Sequence, residues 1–398
     1  MARTVGTVVR GVRAPIIREG DDLASIVADS VIECAASEGF ELCDRDVIGV
    51  TEAVVARAQG NYATVDHIAK DIADKYPGGE LGLIFPILSR NRFSVCLRGI
   101  CKGVKKIVIQ LSYPADEVGN ALVSLDQLDE HGINPWTDIL TEERFEELFG
   151  RPEHPFTGLD YIALYRNIAE SCGAECEIIL ANDCRSILKY TPHVLCGDIH
   201  SRHRSKRLLN AAGAKTVFGL EDVLTAPVGD SGYNPEYGIL GSNKSTEERV
   251  KLFPRDAQPF VLDVQKKILD RTGKHVEVLV YGDGAFRDPV GHIWELADPV
   301  VSPAYTDGLI GTPNELKLKY LADNDFAGLS GEALRNAITE YIRQKDGNLK
   351  TSMAAMGTTP RRLTDLLGSL CDLTSGSGDK GTPIVLVQGY FDNYSTNK

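Results

Sequence analysis

Residues 375–390 read SGSGDKGTPIVLVQGY. Gly376, Gly378 and Gly381 have the G-x-G-x-x-G spacing of a dinucleotide fingerprint. In that fingerprint the glycines follow a strand and open a helix, so that a pyrophosphate meets the helix amino-terminus. Here they precede the apolar run 384–387, and no helix pattern follows. The order argues against a Rossmann loop at this place. Alone, the stretch reads as a flexible linker into a last strand. Beside other phosphate-binding groups it reads as a loop whose backbone N–H groups can face phosphate.

Upstream of the loop, three segments carry helical patterns: 312–324 (TPNELKLKYLADN), 330–347 (SGEALRNAITEYIRQKDG) and 359–373 (TPRRLTDLLGSLCDL). Thr312, Ser330 and Thr359 are their expected caps. Before them, residues 258–274 read as a helix closed by Gly273, and HVEVLVYGDG (275–284) as a strand ending in a Gly-Asp-Gly turn. At the other end of the chain, DDLASIVADSVIEC (21–34) sets Leu23, Ile26, Val27, Val31 and Cys34 on one helical face, with Asp21 or Asp22 as N-cap. DVIGVTEAVV (46–55) reads as a strand running into a functional loop or a helix, and residues 64–76 as a short helix.

From about residue 91 to 224 the pattern alternates regularly. KIVIQLS (106–112), CEIILA (176–181), HVLCGD (193–198) and KTVFGL (215–220) read as strands. Helices lie between them at 141–150, 158–173 and 201–213, each closed by a glycine. Short β-branched runs alternating with glycine-terminated helices predict βαβ units and a parallel sheet. The fold class expected is therefore α/β, with a Rossmann-like unit that lacks a glycine fingerprint. Residues 226–245 are loop-rich.

The chain has 398 residues, enough for two or three domains. Its net charge of −13 argues against a general nucleic-acid binder. No run approaches the ~18 apolar residues of a membrane span. The start MARTVGTVVRGVRAPII lacks a continuous apolar region with a cleavage site. Nine scattered cysteines, with no pair of pairs at zinc spacing, suggest reduced core thiols in a cytoplasmic protein.

Three places could carry chemistry. Asp283 stands at the carboxyl end of an apolar run between two glycines, where a phosphate or a metal can approach. Arg287 follows, with a guanidinium suited to phosphate or carboxylate. The bland alternative is an Asp-Gly turn. Arg18–Asp22 reads as a charged turn into a helix, for which capping is sufficient. His200, Arg202, His203 and Arg204 form a basic cluster that reads either as an anionic-substrate subsite or as a solvated face. P-loop, zinc-protease and serine-hydrolase motifs are absent.

Four stretches, in order, resemble the gamma-glutamyl ligase family of coenzyme F-420 biosynthesis. They are APIIREGDDLASIVADSV, RDVIGVTEAVVARAQGNY, FPRDAQPFVLDVQKKILDRTGKHVEVLVYGD and the glycine loop with its strand. The resemblance covers about residues 1–90 and 226–398. It implies a ligase core of mixed sheets and helices, split into 1–90 and 226–398, with 91–225 as an inserted Rossmann-like unit. It implies formation of an acyl phosphate from a carboxylate, using GTP or another nucleoside triphosphate with Mg²⁺ or Mn²⁺, and K⁺ as a further ion. An amine such as that of L-glutamate then displaces phosphate. By resemblance, Ala14, Pro15, Ile16, Ile17, Thr51, Glu52, Arg57 and Asn243 border the nucleotide. Ser375, Gly376, Ser377, Gly378, Asp379, Gly381 and Thr382 wrap it. Asp283 and Asp379 hold metal, and Asp283 and Arg287 serve catalysis. The partners implied are an acidic small molecule and an amino acid, with neither nucleic acid nor membrane, in a homodimer.

The departures are specific. Leu240 stands where the family motif has a metal aspartate, and Arg57 where it has a lysine. Asp230 or Asp116 is a conceivable replacement for the missing aspartate. A non-catalytic binding protein that kept the fold is the rival reading. A third reading gives the central segment unrelated chemistry through its basic cluster.

Overall fold

A computed structural model describes residues 4–285, 287–289, 292–294, 297–345, 347, 349, 352–355, 361–376 and 378–396. Among these the strands are, in chain order, β1 (Val8–Val12), β2 (Val47–Thr51), β3 (Tyr62–Thr64), β4 (Glu80–Ile84), β5 (Lys106–Leu111), β6 (Leu140–Thr141), β7 (Glu175–Leu180), β8 (His193–Cys196), β9 (Thr216–Gly219), β10 (Asn243–Thr246), β11 (Arg249–Lys251), β12 (Glu277–Tyr281), β13 (Ala304–Tyr305) and β14 (Ile384–Gln388). They form three sheets, ordered β1-β14-β2-β12-β13, β10-β11-β3 and β6-β7-β5-β4-β8-β9.

The five-stranded sheet is built from both chain ends. β2 and β12 run parallel, and β14 lies antiparallel to β1 and β2. Alternation along each strand sends side chains to two cores. Ile48, Val50, Val278, Val280, Ile384 and Leu386 pack with helices Leu23–Glu38 and Ala257–Thr272. Val47, Leu279, Tyr281, Val385 and Val387 pack with helix Leu363–Thr374 through Leu367 and Cys371. With both faces buried, these strands read as continuous apolar runs. Gly49 lets that last helix approach, because a Cβ there would lie 2.5 Å from Cys371 Sγ. Gly49→Ala is expected to cost about 1–3 kcal/mol by overpacking. Denaturant unfolding checks this, and an unchanged midpoint would show that the helix shifts freely.

In the six-stranded sheet β4, β5, β7, β8 and β9 are parallel and β6 is an antiparallel edge. Numbered among themselves, the parallel strands lie in the order 3-2-1-4-5, the doubly wound arrangement. The α/β class and the Rossmann-like unit are therefore present. Its first strand is β4, which precedes residue 91, and the preceding helix Val65–Lys75 packs in the same core through Val65, Ile68 and Ile72. The sequence ELGLIFPIL hides that strand, since it has no alternation and runs into Pro86.

Capping follows the local sequence in several places. Asp22 Oδ1 accepts from Ser25 N at 3.1 Å, and Thr141 Oγ1 from Arg144 N at 3.2 Å. The helix expected from Thr312 instead spans Leu318–Asp323, with Lys317 at its N-cap. The reason is that Asn314 serves distant partners, accepting from Lys345 Nζ at 2.5 Å and Leu349 N at 3.0 Å, which competes with helix formation. Ser330 precedes helix Gly331–Arg343 but makes no side-chain capping bond. Thr359 lies outside the described residues. All nine cysteines are free thiols. No helix among the described residues is long and apolar enough to cross a membrane.

Candidate functional site

The register of the five-stranded sheet fixes the site. Val12 pairs with Ile384, Ile384 with Val50, and Thr51 with Tyr281. The segments after β1, β2 and β12, and the loop before β14, therefore share one edge. Ala14 N donates to Gly381 O at 3.1 Å, and Thr51 N to Pro383 O at 3.1 Å. Arg57 Nε donates to Ile17 O at 2.5 Å. Ala14, Pro15, Ile16, Ile17, Thr51, Glu52 and Arg57 are thus brought to the glycine loop. Ile17 is buried, whereas Ile16 is 83% exposed and free to cover a ligand.

The loop itself is a small hairpin. Gly376 and Thr382 exchange backbone bonds of 3.2 and 2.7 Å, and Gly381 N donates to Gly378 O at 3.0 Å. Gly381 sits at φ 63°, which favours glycine. Ser375 N closes the preceding helix on Cys371 O. Ser377 lies outside the described residues. Gly378 and Asp379 are exposed at the tip.

Asp283 lies at the end of β12, at the centre of a charge network. Arg92 donates to Asp298 Oδ1 at 2.7 Å through Nη1, and to Asp283 Oδ2 through Nη2. Asp298 Oδ2 accepts from Asp283 N at 2.7 Å. Asp298 is only 3% exposed. Burial opposes the charge on Arg92, but Asp298 and Asp283 together hold its guanidinium above the ordinary value. Alongside, Lys251 Nζ contacts both oxygens of Glu52 at 2.8 and 2.9 Å. Burial pushes the Glu52 carboxyl up, and Lys251 pulls it back. Asn243 pairs in register with Lys251 across the β10–β11 hairpin, which puts the two side chains on one face. Asp372 accepts from Gly284 N at 3.1 Å, and burial raises its carboxyl.

A cavity of about 470 Å³ opens beside Asp283 and Asp298, lined also by His200, Trp294, Arg361 and Arg362. His200 thus reaches the site. Its neighbours do not share that placement. Arg202 donates to Ile199 O and pairs with Glu221 at 3.4 Å, while His203 and Arg204 are exposed on the helix. Arg287 Nε donates to His292 O at 3.2 Å, with its guanidinium 5.8 Å from the Trp294 ring.

The two residues considered as replacements for an aspartate at 240 are both engaged elsewhere. Asp230 is exposed and meets His67 at 3.0 Å. Asp116 is buried in its own loop, accepting from Leu88 N, Val118 N, Asn120 N and Asn120 Nδ2 at 2.7–3.1 Å. Burial raises its pKa to about 6, against the pull of those donors. An acid whose folded pKa is raised favours folding below its unfolded pKa, and that contribution is lost as pH rises through 6. The stability advantage of wild type over Asp116→Asn is therefore expected to shrink by roughly 2 kcal/mol between pH 4 and 7. Urea midpoints across that range check it, and a pH-independent gap would show that Asp116 ionises normally.

Gly282 is required by the same packing. A Cβ there would lie 2.0 Å from Asp298 Oδ2. Gly282→Ala is expected to stay folded, displace Asp298 and lower kcat/KM by about tenfold or more. Steady-state kinetics beside circular dichroism test this, and full activity would show that Asp298 is not needed in place.

With this edge in view, the chain matches the F420-0:Gamma-glutamyl ligase family over residues 11–389. The chain belongs to that family. It is an amide-forming, acid–amino-acid ligase, and the match runs through the central α/β unit as well as both ends. No curated protein matches it.

Family membership implies use of a nucleotide and a metal. Asp283 and Asp298 offer oxygen donors of the hard kind suited to Mg²⁺ or Mn²⁺, with phosphate oxygens and water to complete the shell. Among the described residues no group of three or more His, Cys, Asp or Glu converges on one metal position. Arg92, Lys251 and Asp298 escape sequence reasoning. Each meets its partner across a long separation, Arg92 to Asp298 spanning 206 residues, so no local motif marks them.

Proposed function

We propose that this ligase phosphorylates a small-molecule carboxylate with GTP or another nucleoside triphosphate and joins it to an amino acid such as L-glutamate. The observation that carries the reading is the convergence of 14–17, 51–57, Gly376, 378–382 and Asp283 on one sheet edge, in a chain matching the ligase family over 11–389. The backbone N–H groups of the glycine loop face the phosphates, and Ala14–Ile17, Thr51, Glu52, Arg57 and Asn243 border the nucleotide. The proposed metal residues are Asp283 and Asp379, with Asp298 beside Asp283 as a further oxygen donor, for Mg²⁺ or Mn²⁺, with K⁺ as an additional ion. A divalent ion there supplies charge neutralisation for the transferring phosphoryl group.

The chemistry balances in two steps. A carboxylate oxygen of the acceptor attacks the γ-phosphorus, the bond to the β-phosphate oxygen breaks, and the diphosphate leaves. The amino nitrogen then attacks the acyl carbon, losing a proton, and phosphate departs with one acceptor oxygen. His200, Arg361 and Arg362, around the Asp283 cavity, suit the anionic acceptor, with the exposed His203 and Arg204 as an outer basic approach and Arg202, held by Glu221, contributing only its charge. Arg287, beside Trp294, is proposed to serve catalysis after ligand entry.

We further propose a core built from residues 1–90 and 226–398, with 91–225 as an inserted α/β unit whose sheet also takes in β4, a homodimer, and a cytoplasmic location. Phosphate release with GTP or ATP, Mg²⁺ or Mn²⁺, glutamate and a deazaflavin acceptor tests the function. Release that requires both acceptor and amino acid supports it. No release across a broad carboxylate and amine panel favours a binding protein.

A further inference from the structure

Arg92 belongs to the turn between β4 and helix Ser94–Lys102. It therefore leaves the carboxyl end of the first strand of the doubly wound sheet, where such sheets present their ligand-binding residues. Its guanidinium spans two acids of the other sheet, Asp283 and Asp298. Its side chain is 16% exposed, and Asp298's is 2% exposed. The two carboxylates approach one another closely enough to share a single guanidinium, so their mutual repulsion requires a cation between them. That cation is already part of the chain. Arg92 also lines one small cavity with Leu240, Ser242 and Ala297, so an apolar wall stands on its far side.

We propose that Arg92 is a displaceable internal counter-ion, which competes with a divalent metal ion for the Asp283–Asp298 oxygens. The guanidinium sits on Asp283 Oδ2 and Asp298 Oδ1, and a divalent cation drawing on the same two carboxylates would be repelled by it, so each weakens the hold of the other. In the nucleotide-free protein the guanidinium holds the pair. A metal arriving with a nucleoside triphosphate brings phosphate oxygens as a second attraction for the freed guanidinium, whose planar fork matches phosphate. Arg92 is then a positioning residue that couples the central unit to the ligase site. The inference rests on the metal assignment made above for Asp283 and deepens it.

Mn²⁺ binding to nucleotide-free protein, read by loss of the free-ion electron paramagnetic resonance signal, tests it without any turnover. Arg92→Gln is expected to bind Mn²⁺ at least about tenfold more tightly than wild type. Arg92→Lys is the second variant, because it keeps the positive charge but lacks the planar fork that seats one nitrogen on each carboxylate. It is expected to bind Mn²⁺ more tightly than wild type by a smaller factor. If Arg92→Gln folds only in Mn²⁺ and not in chelator, the proposal is equally supported. Affinity equal to wild type in whichever variant folds overturns it. Loss of turnover with tightened Mn²⁺ binding leaves the counter-ion role standing, whereas absence of ligase activity in wild type bears on the proposed function alone.

Discussion

Asp298→Asn is expected to lower turnover by about a hundredfold and stability by about 3 kcal/mol. Both effects have one origin. Asp298 anchors Arg92 with one oxygen and fixes the Asp283 backbone with the other, and it is almost fully buried. Replacing one oxygen by an amide leaves Arg92 on a single carboxylate and turns an acceptor into a donor at a site lined with donors. Asp283 then loses the support that aims it at the cavity. Steady-state kinetics with chemical unfolding measure the two effects. Retained activity in a destabilised protein would confine Asp298 to a structural role.

The second large effect is at Lys251. Lys251→Met strands Glu52 in a buried position, at an expected cost of about 3–5 kcal/mol. Burial already raises the Glu52 carboxyl, and removing the cation raises it further. A raised folded pKa means that stability is lost as pH rises through it, so the deficit is expected to grow as pH rises above the ordinary glutamate range. Replacing both partners, as in Glu52→Leu with Lys251→Met, removes the unpaired charge and is expected to restore most of the stability. Turnover is expected to stay low in the double variant, because Glu52 begins the segment proposed to border the nucleotide. Recovery of both stability and turnover would reduce the pair to a packing element.

How much of this was legible before the structure depends on the range of the interaction. Asp22, Thr141 and Gly273 act within a few residues of where they stand, and their helices are readable. The parallel strands after residue 105 announce themselves by β-branched runs between glycine-stopped helices. β4 does not, because it is buried on both faces and carries a glycine and a following proline. A Cβ at Gly82 would meet Ile187 Cγ1 at 2.5 Å, a contact between segments a hundred residues apart. Within the site, Asp283 is readable as a carboxylate between glycines at a strand end. Its partner Arg92 is not, since the residues around it read as an ordinary polar turn, and the pairing exists only once two sheets meet.

The basic cluster divides along the same line. Composition marks His200 to Arg204 as one patch, but the helix separates them. His200, just ahead of it, faces the Asp283 cavity, whereas Arg202 turns toward Glu221. The glycine loop keeps its opening ambiguity only in isolation. Its hydrogen bond with Ala14, and that of Thr51 with Pro383, tie it to the residues expected to border a nucleotide.

Isotope tracing tests activation of the carboxylate by phosphoryl transfer most directly. A deazaflavin acceptor labelled with ¹⁸O in its carboxylate is incubated with GTP, Mg²⁺, glutamate and the full chain, and the phosphate is read by ³¹P NMR. Phosphate is expected to carry one acceptor ¹⁸O for each amide formed. Amide formation with unlabelled phosphate would contradict it.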